Sequence, residues 1–308
     1  MKTATYRHSL QQIKSPLNYI GGKQKILDQI LPLFPSEIGC FGDLFAGGCN
    51  VGINVTAESV ICNDNLVYLI YLYKTFKMMP LNDILQHIYQ RIETYDLSLT
   101  NETGYKALRS LYNSHKNPLD LFVLIAFSFN HQIRFNNSHE YNNPFGRARS
   151  SFNATMKQNL ERFIHRLQIV NIGFCCQNFQ DFDFNNLTSS DFVYCDPPYL
   201  ITTGTYNDGK RGFTGWTAYE ERLLLDLLDN LDQKNIKFAL SNVLVHKGKT
   251  NEILSRWLER NADYSVSFID ANYANASYQT LARDKTASVE VLITNYKVKQ
   301  KQTNNTLF

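Results

Sequence analysis

Two short apolar runs end abruptly in residues that bind or react, and the distance between them dictates the architecture. Phe41 to Phe45 runs into the glycine cluster Gly47, Gly48 and Gly52, and Phe192 to Cys195 runs into Asp196-Pro197-Pro198-Tyr199. A strand that stops in glycines before a helix is how open α/β sheets bring backbone close to a nucleotide-like ligand. Val60, Ile61 and Cys62 form a second strand ending at Asn63 and Asp64. An acid about 20 residues beyond such a glycine turn is placed to meet ribose hydroxyls. From Asp64 to Asp196 the separation is 196 − 64 = 132 positions. Plain strand–helix–strand connections do not reach that length, so a sheet of this kind has to carry an insertion.

The remaining pattern agrees. Lys23 to Leu33 has helical apolar spacing (Ile26, Ile30, Leu33) and meets prolines at 32 and 35. From Leu66 to about Leu167 the texture is helical, with Ile84, Ile88 and Ile92 on one stripe and a greasy stretch from Leu119 to Phe129. An Asn- and Arg-rich stretch, Asn130 to Ser151, follows. Alternation then resumes with the strand Phe192 to Cys195, then a capping box of Thr217 and Glu220 ahead of Leu223, Leu224, Leu227, Leu228 and Leu231. Lys237 to Leu240 reads as a strand, Asn251 to Glu259 as a helix, and the alternating Val289, Val291 and Ile293 as a closing strand. The expected fold is α/β: one open sheet interrupted by a mostly helical insertion of roughly 90 residues, the size of a small domain. The expected division is 1–66 and 154–308 for the two parts of the sheet domain and 67–153 for the insertion.

A net charge of +3 on 308 residues permits contact with nucleic acid without demanding it. The six cysteines (Cys40, Cys49, Cys62, Cys175, Cys176, Cys195) show no Cys-x-x-Cys pair and no histidines at zinc-like spacing, so no metal site is expected. Most sit in strand-like runs, which reads as buried reduced thiols of a cytoplasmic protein. Met1 to Lys14 lacks the apolar stretch of a signal peptide. The greasy run Leu66 to Tyr73 is stopped by Lys74, far too early to span a bilayer, and no membrane partner is expected.

Asp196-Pro197-Pro198-Tyr199 carries the sharpest chemistry. Two prolines leave the backbone rigid and without N–H donors, so nearby carbonyls only accept. An amine bound there donates to Asp196 and to a carbonyl, which draws an aromatic amine toward tetrahedral character and aims its lone pair at an electrophile. Tyr199 offers a π-face to a base.

These motifs, together with Asn18-Tyr19-Ile20-Gly21-Gly22-Lys23 and Phe45-Ala46-Gly47-Gly48, resemble the Dam-type family of DNA adenine-N6 methyltransferases. The resemblance runs from Pro16 to Tyr296, with the recognition domain inserted between the cofactor and catalytic motifs. It implies a Rossmann-like S-adenosylmethionine-dependent sheet with a mostly helical target-recognition insertion. It implies transfer of a methyl group to the N6 amine of an adenine in double-stranded DNA. Asp196, Pro197, Pro198 and Tyr199 take the catalytic positions. Tyr19, Lys23, Asp43, Phe45, Gly47, Asp64, Asn178, Phe179 and Asp196 take the cofactor positions. Lys23 is expected at the methionine carboxylate, Asp64 at the ribose, and Asn178, where the family often has Asp, at the cofactor's adenine amine. The target has to leave the base stack first, and Ile201 to Gly215, rich in glycine, is the expected closing loop.

The insertion resembles the family's recognition hairpin from Phe129 to Asn136 and from Asn143 to Arg147. Phe129, Asn130, Gln132, Arg134, Asn143 and Arg147 are the DNA-binding residues that this implies. Between Phe129 and Lys157, Arg134, Arg147, Arg149 and Lys157 face one acid, Glu140. Arg134 is the expected base reader, because a planar guanidinium suits a guanine edge. Lys210, Arg211, Lys247, Lys249, Arg283 and Lys285 are expected near phosphates. Relatives that methylate GATC carry Lys-Trp where this chain has Asn18-Tyr19, and Gly-Leu at His131-Gln132, so the recognition sequence stays open. A restriction endonuclease acting on the same site is the partner implied by the family's usual setting.

Two other readings share some of these features. Asp-Pro-Pro-Tyr also suits the amine of an RNA adenine or a protein glutamine, and the basic insertion and Gly21-Gly22-Lys23 weigh against both. A catalytically silent DNA-binding relative would be free to lose Asp196-Pro197-Pro198-Tyr199, which is intact.

Overall fold

The computed structural model describes residues 12–202, 215–270 and 288–298. Its centre is a sheet built from β1 (Cys40–Asp43), β2 (Ser59–Asn63), β3 (Ile172–Cys175), β4 (Phe192–Cys195), β5 (Lys237–His246), β7 (Ser265–Ile269) and β8 (Ser288–Thr294). Across the sheet the order is β3-β2-β1-β4-β5-β8-β7, and a two-residue β6 (Lys249–Thr250) pairs with the end of β5. The first five strands are parallel; β8 lies antiparallel between β5 and β7.

The register explains where chemistry collects. Asp43 pairs with Cys62 of β2 on one side and with Tyr194 of β4 on the other. Asp64 and Asp196 therefore each lie two residues beyond the same line, at the carboxyl edge of the sheet. The chain leaves β1 for β2 in one direction and reaches β4 in the other. A crevice at such a switch point is where open α/β sheets bind ligands.

The N-terminal helix expected from Lys23 to Leu33 is one continuous but irregular element. A 3₁₀ turn (Lys23–Ile26) leads into α1 (Leu27–Ile30) and a second 3₁₀ turn (Leu31–Leu33) that contains Pro32. Between β2 and β3 lie α2 (Val67–Met78), α3 (Leu81–Thr94), α4 (Glu102–His115), α5 (Pro118–Phe127), an irregular loop and α6 (Ala154–Ile169). All of α5 from Leu119 to Phe127 is buried, as befits a helix apolar all round. Asn101, Asn117 and Asn153 cap α4, α5 and α6 with side-chain oxygens, satisfying amides that helix starts leave unpaired.

The expected limits 67 and 153 fall at the start of α2 and just before α6, yet the apolar core does not stop there. Phe41, Cys62 and Ile172 of the sheet join one cluster with Tyr73, Phe122 and Phe163 of the helices between β2 and β3. The Tyr73 and Phe174 rings stack 5.3 Å apart across the junction. On the other face, α7 (Ala218–Gln233) and α8 (Glu252–Arg260) cover the sheet through Leu224, Leu228 and Trp257. Helix α7 begins at the capping box of Thr217 and Glu220 that the sequence predicts. Of the six cysteines, Cys49, Cys62 and Cys195 are buried, Cys40 and Cys175 are half-buried and Cys176 is exposed, all as free thiols. No helix among the described residues is long and apolar enough to cross a membrane.

Candidate active site

The carboxyl ends of β1, β2 and β4, together with segments 18–23 and 177–180, enclose a cavity of about 530 Å³. Its lining brings together Tyr19, Lys23, Asp43, Phe45, Gly47, Asp64, Asn178, Phe179 and the whole Asp196 to Tyr199 motif. These residues span most of the chain and meet only because three strands end on the same edge.

One half of the cavity is built on the glycine loop. Gly47 has φ +47, and a Cβ there would stand 3.0 Å from the Tyr19 ring, so glycine is needed on both counts. Its N–H donates to Asp64 Oδ2 at 2.9 Å, and the Leu66 N–H donates to Asp64 Oδ1 at 2.9 Å. Burial raises the Asp64 carboxyl above the ordinary range, and these two amides oppose the rise. Phe45 packs on Phe179 and on Trp216, with centroids 5.5 and 5.6 Å apart. Asn178 is exposed at the rim, and its amide donates to Asp181 Oδ2 at 3.3 Å.

Asp43 stands between the halves and is 1% exposed. Its Oδ1 has no hydrogen-bond partner among the described residues. Burial, then the negative charges of Asp196 and Asp64, push its carboxyl up to about 8, against the pull of the Phe45 and Gly52 amides. A buried acceptor without a donor costs free energy, and it suits a ligand that brings a cationic N–H.

The other half surrounds Asp196. The Lys23 ammonium, 3% exposed, lies 2.8 Å from Asp196 Oδ1 and 3.4 Å from Glu290 Oε1. It donates to the Tyr199 hydroxyl at 2.6 Å. That hydroxyl stands 3.1 Å from Asp196 Oδ1 and 2.9 Å from Glu290 Oε1, with its single proton to offer. Asp196 Oδ2 has no hydrogen-bond partner among the described residues. Burial drives the Asp196 carboxyl up to about 6; Lys23 and the Tyr199 hydroxyl pull it down, and the Glu290 charge pushes it up. Lys23, expected at a methionine carboxylate, thus has its ammonium engaged by two carboxylates and a phenol.

The recognition segment is a braced loop. Asn130 and His131 both adopt positive φ, 54° and 52°. The Asn18 amide donates to the Asn130 carbonyl at 2.8 Å, tying the N-terminal motif to the loop. Phe129 is 39% exposed with the Arg149 guanidinium 5.3 Å above its ring. Arg134 is exposed and lines the cavity mouth. Asn143, expected on the DNA face, is buried at 1%, and its amide donates to the Phe129 and Gln132 carbonyls, both at 3.0 Å. Its amide thus braces the shape of the loop. Arg147 lies away from the cavity and pairs with Glu102 at 2.8 Å. Gln132 is half-buried. Lys247 and Lys249 flank the turn between β5 and β6. Residues 203–214 of the expected closing loop, with Lys210 and Arg211, and also Arg283 and Lys285, lie outside the described residues.

Two residues escape a reading of sequence alone. Glu290 sits in the strand Val289-Glu290-Val291, where it resembles an outward polar residue, yet it is 3% exposed. Trp216 closes the aromatic wall, and its Nε1 donates to the buried Glu221 at 2.6 Å.

The match of a known family to this chain takes in Tyr19, Lys23, Asp43, Asp64 and the Asp196 to Tyr199 motif. A model of the D12 class N6 adenine-specific DNA methyltransferases matches residues 19–274. The chain belongs to that family. It is 52% identical over 284 residues to the type II methyltransferase M.FokI of Planomicrobium okeanokoites, covering 92% of this chain and 43% of that protein. The modification methylase StsI of Streptococcus sanguinis is likewise 52% identical, over 93% of this chain and 43% of its own length. A DNA adenine methylase of Haemophilus influenzae is 27% identical over 73% of this chain and 78% of itself. The chain thus spans less than half the length of the first two relatives and most of the third. The Rossmann-like methyltransferase sheet expected from the motifs is the fold observed, and a family of this kind takes a methyl donor and DNA.

Proposed function

We propose that this chain transfers a methyl group from S-adenosylmethionine to the N6 amine of an adenine turned out of double-stranded DNA. The observation that carries the reading is the Asp196 carboxylate, fixed through Oδ1 by Lys23 and Tyr199 in the lining of the cavity.

The donor set suits the cofactor. Asp43 Oδ1 is a buried acceptor waiting for an N–H, and three carboxylates, Asp43, Asp64 and Asp196, line the same cavity, which favours a ligand with cationic groups. Asp43 would hold the methionine ammonium, Asp64 the ribose hydroxyls, and Phe45, Phe179 and Asn178 the adenine. When bound, S-adenosylmethionine supplies a methyl on a positive sulfur, so that the N6 lone pair forms the new bond as the sulfur–carbon bond breaks and sulfur keeps its electrons.

The protein's part is placement. Asp196 would accept a hydrogen bond from the N6 amine, which draws its lone pair out of conjugation, and once the new N–C bond has formed the proton displaced from nitrogen leaves through this carboxylate to water. Pro197 and Pro198 keep the adjoining backbone free of competing donors. Most of the acceleration comes from holding the amine in line with the methyl. Phe129 and Asn130 would occupy the space left by the flipped base, and Arg134 would read a neighbouring base edge. The relatives named as modification methylases suggest that the methyl mark protects DNA from a cognate restriction endonuclease, and that setting, with free thiols, suits the cytoplasm.

The test is incubation of the chain with methyl-labelled cofactor and mixed-sequence duplex DNA, followed by nucleoside analysis. Label in N6-methyladenine is the expected result. Label in RNA or protein would overturn the substrate, and cofactor binding without transfer would make this a silent DNA-binding relative.

A further inference from the structure

We propose that Glu290 is a positioning residue for Asp196, acting through Lys23 and the Tyr199 hydroxyl; the inference rests on the function proposed above. Glu290 lies on β8, beyond the segment matched by the family model, which ends at residue 274. The antiparallel pairing of β8 with β5 sets it opposite Val243, beside a register shift between Val243 and Val245. From there its carboxylate reaches the cluster at 3% exposure.

A glutamate buried to this degree is costly unless paired. Its Oε1 is paired twice, at 2.9 Å with the Tyr199 hydroxyl and at 3.4 Å with the Lys23 ammonium. Both partners also touch Asp196 Oδ1, at 3.1 and 2.8 Å. Asp196 and Glu290 therefore compete for one ammonium and for one hydroxyl proton. The competition matters because Asp196 has to accept a proton from a weakly acidic amine. A carboxylate that owned Lys23 alone would be a poorer acceptor. With the ammonium divided, Asp196 keeps its basicity, and the two bridging groups still fix its orientation.

Among the described residues, the charged and titratable groups that face Asp196 are Lys23 from the N-terminal helix, Tyr199 of its own segment, Glu290 from β8, Asp43 from β1, and Tyr194 and Cys195 from β4. Among them Glu290 favours protonation of Asp196, and Lys23 and Tyr199 oppose it. Ionised Asp196 is the accepting form, so the rate falls as pH drops through its titration. Replacing Glu290 by the isosteric, uncharged glutamine leaves Lys23 to Asp196 and moves that acid limb to lower pH. Because glutamine can still accept from Tyr199, the pocket shape is retained.

The experiment measures kcat and KM, for DNA and for cofactor, against pH for the wild-type chain, Glu290→Gln and Glu290→Asp. In Glu290→Gln, kcat falls roughly 10-fold at its plateau, both KM values hold, and the acid limb moves to lower pH. Glu290→Asp keeps the charge on a shorter stem, so it keeps the wild-type acid limb while kcat falls; it also serves if the glutamine variant does not fold. An unshifted limb in Glu290→Gln, or the same shift in Glu290→Asp, overturns the proposal. So does a loss carried by KM, which marks a merely structural role. A wild-type chain that transfers no methyl to adenine overturns the proposed function itself, and the inference with it.

Discussion

The Lys23 ammonium and the Asp196 carboxylate, 173 positions apart (196 − 23), form a 2.8 Å ion pair in which Lys23 is only 3% exposed. Removing one partner of such a pair normally strands a buried charge at a cost of about 3–5 kcal/mol. Here Glu290 stands 3.4 Å from the same ammonium, so Lys23 keeps a counter-charge when Asp196 is lost. Asp196→Ala is therefore expected to abolish methyl transfer while its melting temperature stays near that of the wild type. Thermal unfolding and single-turnover transfer measured on the same preparation decide it: normal turnover would remove Asp196 from the chemistry.

Asp43 links stability to ligand binding. Its carboxyl titrates at about 8 in the folded chain and at 3.8 in the ordinary state. Between those values the folded protein holds a proton that the unfolded chain has lost, so this group lowers stability as pH rises from about 4 to 8. Asp43→Asn is expected to raise the melting temperature of the cofactor-free chain little at pH 5 and most at pH 8 and above. Cofactor affinity falls at the same time. A bound methionine ammonium would favour the ionised carboxylate, so wild-type binding at pH 7 releases a proton and Asp43→Asn binding releases less. Calorimetry in buffers of different ionisation enthalpy counts the protons, and equal release by both would clear Asp43 of contact with the ammonium.

What the sequence made legible was the set of strand ends. Asp64 and Asp196 could be placed on one sheet edge because each follows an apolar run, Asp43 came only through the family resemblance, and the spacing between the two runs called for an insertion. Glu290 was not legible. The alternation Val289, Val291, Ile293 assigns it to the opposite face of β8, and only the packing of both faces shows that face to be interior as well. The bracing part of Asn143 was not legible either: a polar residue in a basic loop looks like a contact, and only the fold shows its amide donating to the loop's own carbonyls. Strand β7 was missed because its alternating Val266 and Phe268 lie exposed at the sheet edge among serines.

Glu221 is expected to be a structural keystone of the aromatic wall. It is 1% exposed, and its oxygens accept from Trp216 Nε1 at 2.6 Å, Asn242 Nδ2 at 3.0 Å and Asn251 Nδ2 at 2.9 Å. Truncation would leave three buried donors without an acceptor, each costing about 1 kcal/mol or more. Glu221→Ala is expected to lose roughly 3 kcal/mol of stability and to loosen Trp216, which packs on Phe45 and Phe179. Urea unfolding followed by tryptophan fluorescence measures both effects. A variant with unchanged midpoint and spectrum would show that water replaces the carboxylate at no cost.

Arg134 and Arg147 are both arginines of the recognition segment, and their surroundings predict different behaviour. Arg134 is exposed at the cavity mouth, and its backbone is held: its carbonyl accepts from the Asn142 amide at 3.0 Å, and the neighbouring Phe135 ring stacks on Tyr68 at 4.5 Å. A guanidinium on so rigid a base can address one base edge in a fixed direction, so Arg134→Ala should cost roughly 1–3 kcal/mol of discrimination at one base pair. Arg147 is already paired with Glu102, which also holds Lys106 at 2.8 Å, and little of its charge is left for sequence reading. Arg147→Ala should weaken binding about equally on every duplex and reduce the salt slope by about 1 at most. Transfer rates on a set of duplexes changed one base pair at a time separate the two. A flat loss across the set for Arg134→Ala would move that residue from the base edge to the phosphates.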